Sequence, residues 1–332
     1  MDTGYGLEVA VNLYLQSLGN WTYSIMKALS FLGQEEFFLV LMPFLYWCVD
    51  ARLGLRVGMM LLLSNGVNGF LKVTFAGPRP YWLESSVEGV IGESSFGIPS
   101  GHAQIAASVW GYLAALIRKR GFTIVAILII FLIGLSRLFL GVHFLRDVLS
   151  GWLIGALLVL LFIRLEPAFV RTISKWSFRQ KMLGILAGCT LLLIIFLVPF
   201  WLRDSYLLPQ TWLNNALADV PDVTPYPLSR DGVFTVIGTI LGMLFGYTWF
   251  SQRYGVFNTE GSPPVVLLRF VLGLAGVLVL WFGLGQLFPR SEDLIGYGLR
   301  LFRYTLIGLW VSAVAPMIFM ALKLAKRLKA NS

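Results

Sequence analysis

Long apolar stretches separated by short polar breaks set the organisation of this chain. Nearly uninterrupted apolar segments fall at residues 35–50, 53–75, 101–117, 121–140, 144–164, 182–203, 233–250, 265–288 and 301–324. Most approach the roughly 20 residues that an α-helix needs to cross a hydrocarbon core of about 30 Å. The pattern predicts an all-α fold, a polytopic membrane helix bundle of about nine transmembrane helices. Residues 7–32 differ. They mix Leu, Val and Met with Asn, Gln and Ser, and predict an amphipathic helix lying at the bilayer interface. The breaks divide the chain into an interfacial N-terminal segment, 1–34, a membrane core, 35–203, and an outward loop with three further spans, 204–332.

Composition agrees. The chain is 57% hydrophobic and 13% charged, with mean hydropathy +0.77, whereas soluble domains carry roughly 25% charged residues. A net charge of +9 would suit nucleic acid if the bases shared one face. Instead they are spread through the breaks between apolar segments, which argues against nucleic acid and for membrane topology. Arg118, Lys119, Arg120, the bases of 164–181, and Lys323, Lys326, Arg327 and Lys329 fall on one side. They outnumber the opposite set, which includes Lys72, Arg79, Arg137 and Arg290. The positive-inside rule then puts the first set and the C-terminus in the cytoplasm, and the second set on the extracytoplasmic (periplasmic or luminal) face. Cys48 and Cys189 lie within apolar runs and predict neither a disulfide nor a metal centre.

Three fragments carry chemistry. In Ser136 to Asp147, His143 precedes Asp147 by four residues, one helical turn on the same face. A carboxylate there can accept the Nδ1–H of the imidazole and leave Nε2 free to attack. Arg137 offers a planar fork of donors suited to phosphate oxygens. In Lys72 to Pro80, Pro78 and Pro80 end a helix and hold Arg79 extended, so that Lys72 and Arg79 can face one anion. In Pro99-Ser100-Gly101-His102, a helix begins. Its free amides, the Ser100 hydroxyl and a backbone opened by Gly101 form a seat for phosphate, with His102 placed to give a proton to a leaving oxygen. Singly, each fragment has an ordinary explanation in snorkelling bases or a Ser N-cap. Together they hold both histidines of the chain and the bases Lys72, Arg79 and Arg137, at the outer ends of successive spans. Such a cluster of cations would repel itself without an anion between them.

The spacing K-x6-R-P, then P-S-G-H, then S-R-x5-H-x3-D resembles the three-part signature of the type 2 phosphatidic acid phosphatase (PAP2) superfamily, matched at every position from Lys72 to Asp147. Arg79-Pro80-Tyr81-Trp82 and the span count are also similar, locally, to the glucose-6-phosphatase branch. The resemblance implies a six-helix catalytic core within 35–203 and hydrolysis of a phosphomonoester or pyrophosphate, with no metal and no cofactor. By that resemblance His143 is the nucleophile that forms a phosphohistidine, Asp147 orients it, and His102 is the acid and later the base. Lys72, Arg79, Ser100, Gly101 and Arg137 hold the phosphoryl oxygens. The expected partner is a membrane lipid phosphate of phosphatidate, sphingoid or polyprenyl type. Two other readings stay open, a soluble sugar phosphate as substrate and an anion transporter or channel. The second is disfavoured because the ionisable residues gather at one membrane face and do not recur at the midplane. Neither the last three spans nor the oligomeric state receives an assignment.

Overall fold

A computed structural model describes residues 4–289 and 291–327; Arg290 and Lys329 of the charge pattern lie outside the described residues. Helices α1, Gly6–Gln16, and α2, Trp21–Phe31, precede α3, Glu35–Val49, whose last turn widens to π geometry. Helix α4, Ala51–Phe75, is followed by the single turn α5, Pro80–Leu83. Then come α6, Gly101–Ile117, α7, Arg120–Phe139, α8, Leu145–Ser174, and α9, Phe178–Leu202. A short α10, Gln210–Asp219, lies in the connection to α11, Asp231–Tyr254. Helices α12, Pro263–Leu287, and α13, Leu294–Ala321, complete the series. Two-residue strands β1, Phe257–Asn258, and β2, Lys326–Arg327, pair antiparallel.

Seven of the described helices are long and apolar enough to cross a membrane, or eight if α2 and α3, bent by 42°, form one span. The expected nine is therefore an approximate count. Helix α6, with 17 residues, sits at the lower limit of a spanning helix.

The chain forms two compact units. The first comprises Met1–Phe38, Ser64–Ile163 and Leu197–Ser229; the second comprises Leu39–Leu63, Arg164–Phe196 and Arg230–Ser332. In the first, α6 lies directly against α8. A Cβ at Gly151 would stand 2.7 Å from the Ser100 carbonyl oxygen, and one at Gly155 would stand 2.6 Å from that of Gln104. Small residues one turn apart thus let two backbones meet, as in membrane helix pairs generally. Polar side chains fasten α6 to α4. Gln104 Nε2 donates to Ser64 O (2.8 Å), Asn68 Nδ2 donates to Gln104 Oε1 (2.9 Å), and Ser108 Oγ donates to Ser64 Oγ (2.9 Å). In the absence of water, each of these groups needs a protein partner.

In the second unit, Trp47, Phe250 and Phe319 form part of an aromatic core. Its buried cation is Arg269 on α12, whose guanidinium donates to four backbone carbonyls, those of Trp47, Thr259, Glu260 and Leu324. It ties the end of α3, the loop after α11 and the end of α13 to one point.

The α6–α8 contact gives a direct prediction. Gly151→Ala should lower stability by about 1–3 kcal/mol, because its methyl group meets backbone that cannot swing away. Gly188→Ala on α9, with nothing within 4 Å of the added carbon, should be near neutral. Thermal unfolding of the two variants in detergent checks this.

Candidate active site

The first unit gathers all the site residues expected from sequence. Arg79 sits extended (φ −93°, ψ 158°), immediately before Pro80 at the first position of α5, as the two prolines dictate. Its guanidinium is wholly buried. Nε donates to Ser95 O (2.6 Å), Nη1 to Val142 O (2.9 Å), and Nη2 to Ser95 Oγ (3.0 Å) and Phe96 O (3.2 Å). Lys72, in the last turn of α4, donates to the same Ser95 Oγ (3.0 Å) and Phe96 O (2.6 Å). Both cations are therefore aimed at one place by one short stretch of loop.

His143 lies in the break between α7 and α8, where Gly141 takes φ 69°, a left-handed turn suited to glycine. Its Nδ1 is 3.3 Å from Asp147 Oδ2, and its Nε2 is 3.3 Å from Arg79 Nη1. A guanidinium has donors only, so Nε2 must be the acceptor and the ring proton belongs on Nδ1, facing Asp147. Asp147 is held in turn by the Phe144 N–H (2.9 Å). Burial, followed by the charges of Arg79, Lys72, Arg137 and His102, pushes the His143 imidazole well below its usual range. The ring is thus neutral, with its free lone pair at Nε2, the form that a nucleophile requires.

Ser100 caps α6 with φ −65° and ψ 117°, and Oγ accepts from the Ala103 N–H at 3.5 Å. The Ser100 N–H donates to Asp147 O (2.9 Å), which joins the start of α6 to the start of α8. Gly101 leaves room for Asn68, whose Oδ1 would be 3.0 Å from an added Cβ. His102 feels the charges of Arg137, Glu93, Lys72 and Arg79, so the two imidazoles share one electrostatic environment. Its Nε2 is shielded from solvent and has no hydrogen-bond partner.

Arg137, at the end of α7, is also fully buried. Nη1 donates to Ser30 Oγ (2.6 Å) and Nη2 to Glu93 Oε1. The other carboxylate oxygen of Glu93 lies 3.4 Å from Arg79 Nη2. Burial alone would raise the Glu93 carboxyl, but Arg79 and Arg137, followed by His102 and Lys72, outweigh it and hold the group well below the usual carboxylate range.

The sequence pattern from 53 to 171 matches the PAP2 superfamily, and residues 234–327 match the PAP2 superfamily phosphatase, transmembrane extension. Phosphatidylglycerophosphatase B of Bacillus subtilis is 32% identical over 174 residues, 48% of this chain and 80% of that protein. The chain belongs to the PAP2 superfamily. It is an integral membrane protein. Human sphingosine-1-phosphate phosphatase 2 is 26% identical over 270 residues, 76% of this chain and 60% of that protein, so the chain spans less than two thirds of that relative's length. Bovine glucose-6-phosphatase 3 is 26% identical over 348 residues, 96% of each chain. The match at 234–327 gives the last three spans a family context beyond the PAP2 core.

Several residues around this PAP2 site carry no motif. Ser30 on α2 bonds Arg137, and Gly33 lies so close to His102 that a Cβ there would be 2.9 Å from its Cδ2. Asn12 on α1 is fully buried and donates through Nδ2 to Leu138 O (2.8 Å) and His143 O (3.1 Å). The segment read from sequence as interfacial therefore contributes side chains to the site. The connection 203–231 contributes as well. Asn215 Nδ2 donates to Trp82 O (3.0 Å), and the Tyr226 N–H donates to Ser94 O (2.9 Å).

Asn12→Ala removes the side-chain donor from the His143 carbonyl and one of the donors to the Leu138 carbonyl. The variant should be less stable by about 1–3 kcal/mol, and amide exchange at residues 140–144 should quicken. Hydrogen-exchange mass spectrometry reads both.

Proposed function

We propose that this protein hydrolyses a lipid phosphomonoester or diphosphate through a phosphohistidine on His143, without a metal, at a site open to the extracytoplasmic face. One observation carries the reading. The His143 imidazole has Asp147 at Nδ1 and turns its Nε2 toward the guanidinium of Arg79, beside a second buried guanidinium.

Phosphoryl transfer needs chiefly positioning and stabilisation of spread negative charge, which bases and amides can supply. His143 Nε2 attacks phosphorus, the bond to the leaving oxygen breaks, and protonated His102 gives that oxygen its proton. Water then attacks the phosphohistidine, the P–N bond breaks, and His102 recovers a proton from the water. Asp147 stabilises the positive charge that develops on His143. Lys72, Arg79, Arg137, Ser100 and the Gly101 amide hold the phosphoryl oxygens through both steps. The approach of a phosphate dianion favours the imidazolium form of His102 that the first step uses.

Two features support a lipid substrate. An apolar groove of about 530 Å³ runs between α6, α7 and α8, lined by Ala107, Gly111, Phe131, Trp152 and Leu160 among others. Trp152 packs against the cluster of Ala103, Leu138 and Val148, which includes neighbours of His102, Arg137 and Asp147, so a hydrocarbon chain in the groove would end near the site. Two of the relatives are also named for lipid phosphates. A sugar phosphate is the second reading, favoured by the end-to-end match to glucose-6-phosphatase 3. The surplus of bases at Arg118–Arg120 and 164–181 supports a cytoplasmic C-terminus and hence the outward site.

Phosphate release by the purified protein should be fastest with single- or double-chain lipid phosphates or diphosphates in a panel that includes glucose 6-phosphate. Preference for the sugar would select the second reading. His143→Ala should lower turnover by at least about a thousandfold while the protein remains folded. EDTA should leave the rate unchanged; loss of activity restored by magnesium would contradict the metal-free step.

A further inference from the structure

Glu93 has no place in the chemistry above, yet it occupies the centre of the site. Its carboxylate bridges Arg79 and Arg137, the two guanidiniums that a phosphoryl group would need. Its backbone is clamped by the Tyr81 hydroxyl, which accepts from the Glu93 N–H (3.0 Å) and donates to the Glu93 carbonyl (3.2 Å). That clamp aims the side chain inward. The side chain itself stays 23% exposed, whereas both guanidiniums are at 0%. Of the three groups only Glu93 thus reaches solvent, with the cations behind it.

We propose that Glu93 is the resident anion of the phosphate seat, so that every ligand binds by exchange with it and a monoanion, which only replaces its charge, is held too weakly to be seated. The inference rests on the phosphatase reading and adds the rule by which that site discriminates. Buried Arg79 and Arg137 cannot follow the carboxylate into water, and leaving them without a counter-charge is costly. Departure of Glu93 is therefore coupled to arrival of another anion. A phosphodiester carries one negative charge, the same as the carboxylate it would replace, and gains little by the exchange. A phosphomonoester dianion, or the terminal group of a diphosphate, adds charge and a third oxygen for Lys72 and the start of α6. The Arg79 Nη1 that now faces His143 Nε2 is drawn to the incoming oxygens and uncovers the lone pair. Selection thus acts before chemistry begins.

The test uses the full-length protein with two inhibitors, inorganic phosphate at about pH 8, where it is largely dianionic, and dimethyl phosphate, a monoanion. Wild type should bind phosphate far more tightly than dimethyl phosphate. In Glu93→Gln both should bind more tightly, by a similar factor of about tenfold or more, because the same displacement cost is removed from each. Glu93→Asp keeps the charge and should keep both constants near those of wild type; melting temperatures confirm that both variants fold. The proposal is overturned if Glu93→Gln weakens both inhibitors alike, which is how a residue that only orients Arg137 would behave. It is equally overturned if both constants stay unchanged, or if Glu93→Asp tightens both as fully as Glu93→Gln. In those cases wild type still binds phosphate and turns over. Failure of wild type to bind phosphate or hydrolyse any ester would instead remove the phosphatase reading itself.

Discussion

Two guanidiniums and an ammonium group buried at one point of a membrane protein impose the constraint on which this structure depends. Cations so placed repel one another and have lost their water. The chain meets that cost in three ways. Arg79 and Lys72 converge on the carbonyls and hydroxyl of Ser95 and Phe96. Arg137 reaches Ser30 and Glu93. Glu93 lends one carboxylate to both arginines. The positive charge that remains makes the pocket receptive to an anion, and burial together with that field pushes the His143 imidazole below its usual range.

Helix packing supplies the geometry around that charge. The glycines of α8 bring the start of α6 beside it, and the Ser100 N–H bonds the Asp147 carbonyl. This puts the two imidazoles, 41 residues apart in sequence, under the influence of the same cations. The α4–α6 hydrogen bonds through Ser64, Asn68 and Gln104 fix the other side. Because these contacts are buried and satisfied, a shift at any of them moves the site as a whole.

Much of this was legible in the sequence because it rests on local rules. Helix-length apolar segments announce a membrane bundle, prolines flanking Arg79 force it extended, and a four-residue spacing turns His143 toward Asp147. What was not legible depends on long-range contact. Glu84, Glu88 and Glu93 all lie in the loop before α6, and nothing local says which of them meets the arginines. Asn12 and Ser30 looked like the polar face of an interfacial helix, yet they are buried against α7 and the His143 turn. Their partners are more than 100 residues away, beyond the reach of any periodicity. Helix α10, a weakly amphipathic ten-residue run between Pro209 and Pro221, fell within the expected outward loop because its apolar partners belong to the 76–96 region.

The account turns on the identity of the atom that takes up the phosphoryl group, and a structure of the protein with bound vanadate tests that most directly. Vanadium should be found bonded to His143 Nε2, with its equatorial oxygens on Arg79 and Arg137, His102 on the opposite apical oxygen, and the Glu93 carboxylate displaced. Vanadate seated elsewhere, or held among these groups with another side chain as its covalent partner, would contradict the account.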